Sequence, residues 1–183
     1  LPGMSSPVVW GNRIFVTGAT EEKREVYCYD AGSGTLLWTM GVDTAPGNTN
    51  RVPKTNKDTG YAAPTCVTDG IVVYSVFANG DVSAIDYCAR KMWFADLGLP
   101  DNKYGYSASP VLYEGKLIIQ YDCSGEEGRV SQLIALDTAT GRKVWSVVRP
   151  VTDSWPSPVL IKTGRGRQLH TMANEFVVAH DPG

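Results

Sequence analysis

Apolar stretches in this chain are short, and polar turns separate them. Segments such as RIFVTG, IVVYSVF and KLIIQYD, each following a turn that contains a glycine, have the length and composition of β-strands. No window of eleven or more residues repeats its apolar positions with a helical period. The pattern therefore predicts an all-β chain.

A repeat organises these strands. Pro7, Pro64, Pro110 and Pro158 each follow a small residue and open a short apolar strand, at intervals of 57, 46 and 48 residues. A second strand follows, then a third that ends in Asp, and in the first three repeats a fourth that carries Trp. Four short strands per repeat are typical of a β-propeller blade. We predict four-stranded antiparallel blades, about four in this chain with the last one incomplete, as part of a larger ring of about six to eight blades.

The repeat also predicts boundaries. They are 1–40 for blade 1, 41–60 for a long inter-blade loop, 61–98 for blade 2, 99–149 for blade 3 and 150–183 for the incomplete blade 4. The loop is either a solvated connector or a segment folded over one face of the ring, where it shapes a binding site. A smaller insertion, residues 123–132, lengthens a hairpin of blade 3. We expect this insertion to be exposed and structurally unimportant.

The third strands share a size pattern beside their Asp. The residue two positions before the Asp is small in every repeat: Cys28, Ala84, Ala135 and Ala179. The residue one position before the Asp is larger in every repeat: Tyr29, Ile85, Leu136 and His180. Because strand side chains alternate between faces, one face of each blade is predicted to be tightly packed there.

The turn after the third strand has its most complete form in ALDTATGRKVW, residues 135–145. An Asp at its start accepts hydrogen bonds from turn amides, and a Gly allows the chain to reverse. A Trp side chain here can bury a large apolar area, so Trp145→Ala should cost about 3–5 kcal/mol. The structural motif comprises Asp30, Gly34, Trp38, Asp86, Trp93, Asp137, Thr140, Gly141, Trp145 and Asp181.

Composition narrows the function classes. Hydrophobic residues make up 43% of the 183 residues and charged residues 20%, with a net charge of −2, which gives no electrostatic reason to expect nucleic acid. No apolar run reaches the length of a membrane span. No signal segment opens the sequence, and the repeats at its ends are incomplete. We therefore expect one of two situations. The chain is a fragment of a longer protein, or it is a half that pairs with another copy through open blade edges.

Candidate catalytic and metal-binding residues are few. Cys28, Cys66, Cys88 and Cys123 form no haem or zinc motif, and we expect free thiols, with Cys66 at the same strand position as Val9, Leu112 and Leu160. His170 and His180 lie in one repeat, where core packing is the simpler role. No metal site and no catalytic residues are predicted.

A ligand is expected where the innermost strands begin. Three residues before the prolines stand Met4, Tyr61, Ser107 and Trp155. Aromatic side chains at such positions suit a carbohydrate or a peptide, although packing between blades is the simpler alternative. The candidate ligand-facing residues are Tyr61, Tyr104, Tyr106 and Trp155, with Arg51 and Lys54 from the long loop.

The motif A-x-D-x-x-T-G-x-x-x-W resembles the repeat of quinoprotein (pyrroloquinoline quinone, PQQ) dehydrogenases and of the wider group of PQQ-like propellers, which includes the outer-membrane-assembly lipoprotein of Gram-negative bacteria. Residues 135–145 match at every fixed position. The first copy has Cys28 and Ser33 in place of Ala and Thr, and the second lacks Thr and Gly. In the family the Trp docks against the next blade.

The resemblance implies a function class rather than an activity. An adjacent Cys pair and a calcium constellation accompany the quinone in the alcohol dehydrogenases, and neither is recognisable here. We therefore expect a non-catalytic, extracytoplasmic (periplasmic or secreted) module that binds a protein, peptide or carbohydrate. The alternatives are a fragment of a PQQ-dependent dehydrogenase, with PQQ and calcium as cofactors, and the sensor portion of a receptor or kinase.

Overall fold

The computed structural model describes residues 1–42, 52–125, 128–164 and 166–183. These residues form fifteen β-strands and no α-helix. The strands build three four-stranded antiparallel sheets and one three-stranded sheet, each with its strands in sequence order. This is the predicted all-β architecture, with one sheet per blade.

The strand bounds follow the repeat. Blade 1 contains β1 (Val8–Trp10), β2 (Arg13–Ala19), β3 (Arg24–Asp30) and β4 (Leu36–Gly41). Blade 2 contains β5 (Val67–Thr68), β6 (Val72–Val76), β7 (Asp81–Asp86) and β8 (Lys91–Asp96). Blade 3 contains β9 (Val111–Tyr113), β10 (Lys116–Tyr121), β11 (Gln132–Asp137) and β12 (Lys143–Val148). Blade 4 contains β13 (Val159–Thr163), β14 (Gly166–Ala173) and β15 (Phe176–His180).

The small residue of each third strand has a structural reason. In the sheet register Cys28 lies opposite Trp38, Ala84 opposite Trp93, and Ala135 opposite Trp145. Each of these small residues is 0% exposed. Paired residues on adjacent strands project to the same face, so a small side chain leaves room for the neighbouring indole.

Apolar cores lie between the blades. Phe15 and Val26 of blade 1 share a buried cluster with Val73 and Phe77 of blade 2. The alternate side chain Val76 belongs instead to the cluster with blade 3, because successive strand residues point to opposite faces. A smaller cluster joins blades 3 and 4, and its members include Ile118, Leu133 and Leu169. Each inner blade is therefore buried on both faces.

The Trp side chains join consecutive blades. The Trp38 Nε1–H of blade 1 donates a hydrogen bond to the backbone oxygen of Tyr87 in blade 2, over 3.1 Å. The Trp93 Nε1–H of blade 2 donates to the backbone oxygen of Thr138 in blade 3, over 2.8 Å. Both acceptors are the residue after the motif Asp, so the contact repeats with the blades. We call this contact the blade clasp.

The motif Asp residues shape the turn that the clasp uses. The Asp137 carboxylate accepts hydrogen bonds from the Thr140 amide and hydroxyl, and this hydroxyl contact is the main reason why the pKa of Asp137 is lowered. The Asp30 carboxylate is bound in the same way by Ser33, which lowers its pKa too. Their role in these turns is structural.

Candidate ligand-facing surface

One cleft brings together residues from the loops that precede the first two inner strands. Its volume is about 430 Å³, and Pro2, Met4, Ala19, Lys57 and Tyr61 contribute to its lining. Two backbone contacts position it, from the Met4 amide to the Ala62 oxygen at 3.0 Å and from the Ala78 amide to the Tyr61 oxygen at 3.1 Å. The cleft therefore combines apolar side chains with the cation of Lys57.

Tyr104 and Trp155 meet at the junction of blades 3 and 4. Their ring centroids are 4.9 Å apart at an interplanar angle of 65°, an edge-to-face pair. Both side chains are half-buried. The Trp155 Nε1 atom is buried and has no hydrogen-bond partner among the described residues.

Tyr106 was predicted to face a ligand, but its side chain is almost completely buried. Tyr106 is 3% exposed and packs against Tyr121, with ring centroids 5.3 Å apart. Burial raises the pKa of its phenol well above the ordinary value. The sequence placed Tyr106 near a strand mouth, but the hairpin of blade 3 covers that side chain. Tyr106 therefore contributes to the core between blades 2 and 3.

Lys54 and Arg51 were the candidates from the long loop. Lys54 is exposed, whereas Arg51 lies outside the described residues, as do residues 43–50 of the predicted loop. Residues 56–59 form a turn in which the Asn56 carboxamide oxygen accepts hydrogen bonds from the Asp58 and Thr59 amides. This turn carries Lys57 at the edge of the cleft.

The sheet register corrects the alignment of the second repeat. Val67 pairs with Tyr74 as Val8 pairs with Phe15, so Val67 is the counterpart of Val8. Cys66 consequently takes the position of Pro7, and its assignment beside Val9 was wrong by two residues. Tyr61 is thus not the counterpart of Met4, although the two line the same cleft.

With the corrected alignment, a chain of hydroxyl contacts appears along the inner strands. The Ser6 amide donates to the Thr65 hydroxyl at 3.0 Å, the Thr65 amide to the Ser109 hydroxyl at 3.0 Å, and the Ser109 amide to the Ser157 hydroxyl at 2.9 Å. Each acceptor lies two residues before its strand. Sequence reasoning missed these residues, and the signal was the Ser that precedes three of the four prolines.

Two buried ion pairs were also missed. The Arg149 Nε atom lies 2.9 Å from the Asp122 carboxylate, with side chains 3% and 0% exposed. The Ser154 hydroxyl of the following loop also donates to Asp122. Burial raises the pKa of Asp122, while Ser154 and Arg149 act in the opposite direction. Between blades 1 and 2, Arg24 lies 2.9 Å from Asp81.

The insertion at 123–132 was expected to be exposed and structurally unimportant. The structure contradicts this expectation, because residues at both ends of the insertion are buried. Cys123 is 1% exposed and Ser131 2% exposed, and the Cys123 amide donates to the Ser131 hydroxyl at 3.0 Å. Ser124 donates to the Asp101 carboxylate at 2.8 Å. The described part of this hairpin therefore fastens the loop that leads into blade 3.

Cysteine, histidine and carboxylate side chains are the candidate metal donors in the described part of the chain. The four cysteines are free thiols at separate positions, and only Cys88 is exposed. Within the described ranges, no three His, Cys, Asp or Glu side chains are grouped closely enough to hold a metal ion. His180, predicted as a packing residue, contacts the Thr171 hydroxyl at 3.0 Å, and burial lowers its pKa.

Comparison with known proteins decides the family. A family model described as outer membrane protein assembly factor BamB matches residues 2–149. The chain belongs to this family of PQQ-like repeat propellers. No curated protein sequence matches it significantly. No helix in the described part of the chain is long and apolar enough to cross a membrane.

Solved structures share the PQQ-like fold. Quinohemoprotein alcohol dehydrogenase from Comamonas testosteroni aligns with a TM-score of 0.61 and 21% identity, over 83% of this chain and 22% of that chain. BamB from Moraxella catarrhalis aligns with 0.56 and 16%, over 92% and 47%. A europium-containing methanol dehydrogenase aligns with 0.57 and 18%, over 78% and 24%. The chain thus spans less than half of each of these structures.

Proposed function

We propose that this PQQ-like propeller segment is a non-catalytic module that binds an extended segment of another protein. The observation that carries the proposal is the cleft between the loops of blades 1 and 2. Its apolar side, which includes Met4 and Tyr61, suits a large apolar side chain. Lys57, exposed at the same cleft, suits a neighbouring carboxylate. A peptide with an apolar residue beside an acidic one matches both features.

The family supports this proposal over an enzyme. The matching family model is described as an assembly factor. An assembly factor brings proteins together, which agrees with a protein-binding role. The adjacent Cys pair that accompanies the quinone in the alcohol dehydrogenases has no counterpart in this sequence, which supports the proposal. The same family description supports an extracytoplasmic location, periplasmic or secreted, as part of the proposal.

Two matched probes test the cleft. Acetyl-Trp-Leu-Asp-amide and acetyl-Trp-Leu-Asn-amide would be titrated into ¹⁵N-labelled protein. We expect amide shifts around Met4 and Tyr61, with the acidic probe bound about five times more tightly, the size of an exposed ion pair. Lys57→Glu should abolish this preference, whereas Lys143→Glu, an exposed lysine on β12, should retain it.

Two further titrations have outcomes that contradict the proposal. A maltooligosaccharide that perturbs the cleft more strongly than either peptide would indicate a carbohydrate-binding module instead. Stoichiometric binding of PQQ in the presence of calcium, followed by the quinone absorbance, would indicate a dehydrogenase fragment. Absence of peptide-induced shifts at the cleft would reject peptide binding there.

A further inference from the structure

A second cavity lies between blades 2 and 3. Its volume is about 400 Å³, a size that suits a small molecule. The chain that leaves β8 contributes Leu97 and Leu99 to its lining, and the segment that leads into β11 contributes Arg129 and Val130. Gln132, at the start of β11, also lines it. Among the described residues, none lines both this cavity and the cleft of blades 1 and 2.

Two tyrosines from the core between these blades reach the same cavity. Tyr106 and Tyr121 line it, although they are only 3% and 8% exposed. Within the described ranges, no hydrogen-bond partner is found for the Tyr106 hydroxyl. Burial raises the pKa of this phenol well above its ordinary value, so the hydroxyl keeps its proton and can donate it in a hydrogen bond. Because an unpaired buried hydroxyl costs folding free energy, an acceptor bound in the cavity would stabilise the protein.

Arg129 brings a positive charge to the cavity. Its Nη1–H donates to the backbone oxygen of Leu99 over 2.8 Å, which joins the two walls. A guanidinium has five N–H donors in a planar fork, so one that holds a carbonyl oxygen can also bind a carboxylate. The charge of Arg129 acts on the Tyr106 phenol. The cation and the buried hydroxyl are therefore near enough to act on one ligand.

Asp96 has to be weighed against this positive charge, because its negative charge also acts on Tyr106. The Asp96 carboxylate accepts the Gly98 amide at 2.7 Å. Its side chain is exposed and is not part of the cavity lining, whereas Arg129 is. A molecule in the cavity therefore meets mainly hydrogen-bond donors, and an anion fits better than a cation.

The turn formed by residues 77–80 of blade 2 holds the cavity walls in place. The Tyr106 amide donates to the Ala78 oxygen at 3.0 Å, and the Leu97 amide donates to the Gly80 oxygen at 2.9 Å. Gly80 has a φ angle of 93°, and a Cβ atom there would lie 2.3 Å from the Gly98 oxygen. This close approach requires a glycine, so backbone contacts form the cavity before any ligand binds.

We propose that the cavity between blades 2 and 3 binds a small organic acid through its carboxylate. The carboxylate accepts hydrogen bonds from the Arg129 guanidinium and the Tyr106 hydroxyl, and such charge-assisted bonds are the strong ones. The apolar part of the acid packs against Leu97, Leu99 and Val130. The site is separate from the peptide cleft of blades 1 and 2, so the two proposals stand independently.

Benzoate and benzamide form a matched pair of probes, because they have nearly the same shape and differ in charge. Each would be titrated into the ¹⁵N-labelled 183-residue protein at neutral pH. We expect benzoate to shift the Gly98 and Gln132 amide signals in a saturable way at millimolar concentration. Benzamide should bind at least about tenfold more weakly, because it lacks the charge that pairs with the guanidinium.

Two variants test the residues that hold the carboxylate. Arg129→Gln and Tyr106→Phe should each weaken benzoate binding at least about fivefold, and Arg129→Gln should leave benzamide binding unchanged. The matched controls are Arg142→Gln, at an exposed turn of blade 3, and Tyr113→Phe, beside the cluster between blades 3 and 4. Neither control should change benzoate binding. Circular dichroism shows whether each variant is folded, and the two probes test the charge on the unaltered protein.

Three results would overturn this proposal. The first is no saturable shift with benzoate, or shifts confined to Met4 and Tyr61, which would place the acid in the peptide cleft. The second is equal affinity for benzoate and benzamide, or benzoate binding that is indifferent to Arg129→Gln. The third is tighter binding of inorganic phosphate than of benzoate at the Gly98 and Gln132 amides, because the cavity would then select an inorganic oxyanion.

Discussion

The blade clasp predicts different effects for the same substitution at two equivalent glycines. Gly34 and Gly141 occupy the same turn position, with φ angles of 72° and 71°. A Cβ atom at Gly34 has open space around it, whereas one at Gly141 lies 2.5 Å from Cε3 of Trp93. Gly34→Ala therefore measures the backbone cost alone, and Gly141→Ala adds the collision with the indole.

The two magnitudes follow from separate sources. A left-handed conformation costs a residue with a Cβ atom about 1–2 kcal/mol, and both variants carry this cost. The overlap at Gly141 forces the Trp93 ring to move within a packed interface, which costs about 1–3 kcal/mol more. We expect Gly34→Ala to lower the free energy of unfolding by about 1–2 kcal/mol and Gly141→Ala by about 2–5 kcal/mol.

Urea denaturation followed by far-UV circular dichroism measures both values under the same conditions. Similar slopes of free energy against urea would show that the comparison concerns stability rather than the compactness of either state. Adding Trp93→Ala to each variant removes the collision, so the difference between the two glycine sites should then disappear. Equal destabilisation by the two single substitutions would refute the claim that the indole rests on this turn.

Three further predictions follow from burial and charge. Trp93→Ala should lower the free energy of unfolding by about 3–5 kcal/mol. Trp145→Ala should lower it clearly less, because Trp145 is half-buried and its N–H has no partner among the described residues. Urea denaturation measures both losses, and a larger loss for Trp145→Ala would contradict this prediction. Burial raises the pKa of Tyr74 to about 12. The stability that this shift provides below pH 10 should therefore be lost between about pH 10 and 12, and Tyr74→Phe should reduce the loss, measured as urea midpoints. The same pH profile in the variant and the original protein would contradict this role of Tyr74. Asp122→Asn should cost about 3–5 kcal/mol in thermal unfolding because Arg149 stays buried without its counter-charge, and a loss below 1 kcal/mol would contradict this.

The local pattern was sufficient to predict the strands, the turns and the role of Trp. Strand alternation and turn chemistry depend on neighbours in sequence, so the small residue at Ala84 and the turn at Asp137 were visible without coordinates. The fourth strand of each of three blades carries a Trp. Packing between neighbouring blades explains all three of these Trp residues in the same way.

The contacts between distant residues could not be predicted. Arg24 pairs with Asp81 across two blades, and neither residue belongs to a motif. The alignment also missed the offset of Pro64. A proline restricts only the backbone next to it, whereas the register of the strand is set by the pairing of Val67. Tyr106 shows the same difficulty, since its burial depends on Tyr121 from another part of blade 3.

Hydrogen exchange of the indole N–H groups tests the central claim, that the repeated Asp turn and Trp join neighbouring blades. In ¹⁵N-labelled protein, the Nε1–H signals of Trp38 and Trp93 should exchange slowly, because release requires separation of two blades. The Trp145 signal should exchange faster, since its N–H has no acceptor in the described chain. Fast exchange at Trp93, or equal protection of all three signals, would contradict the account.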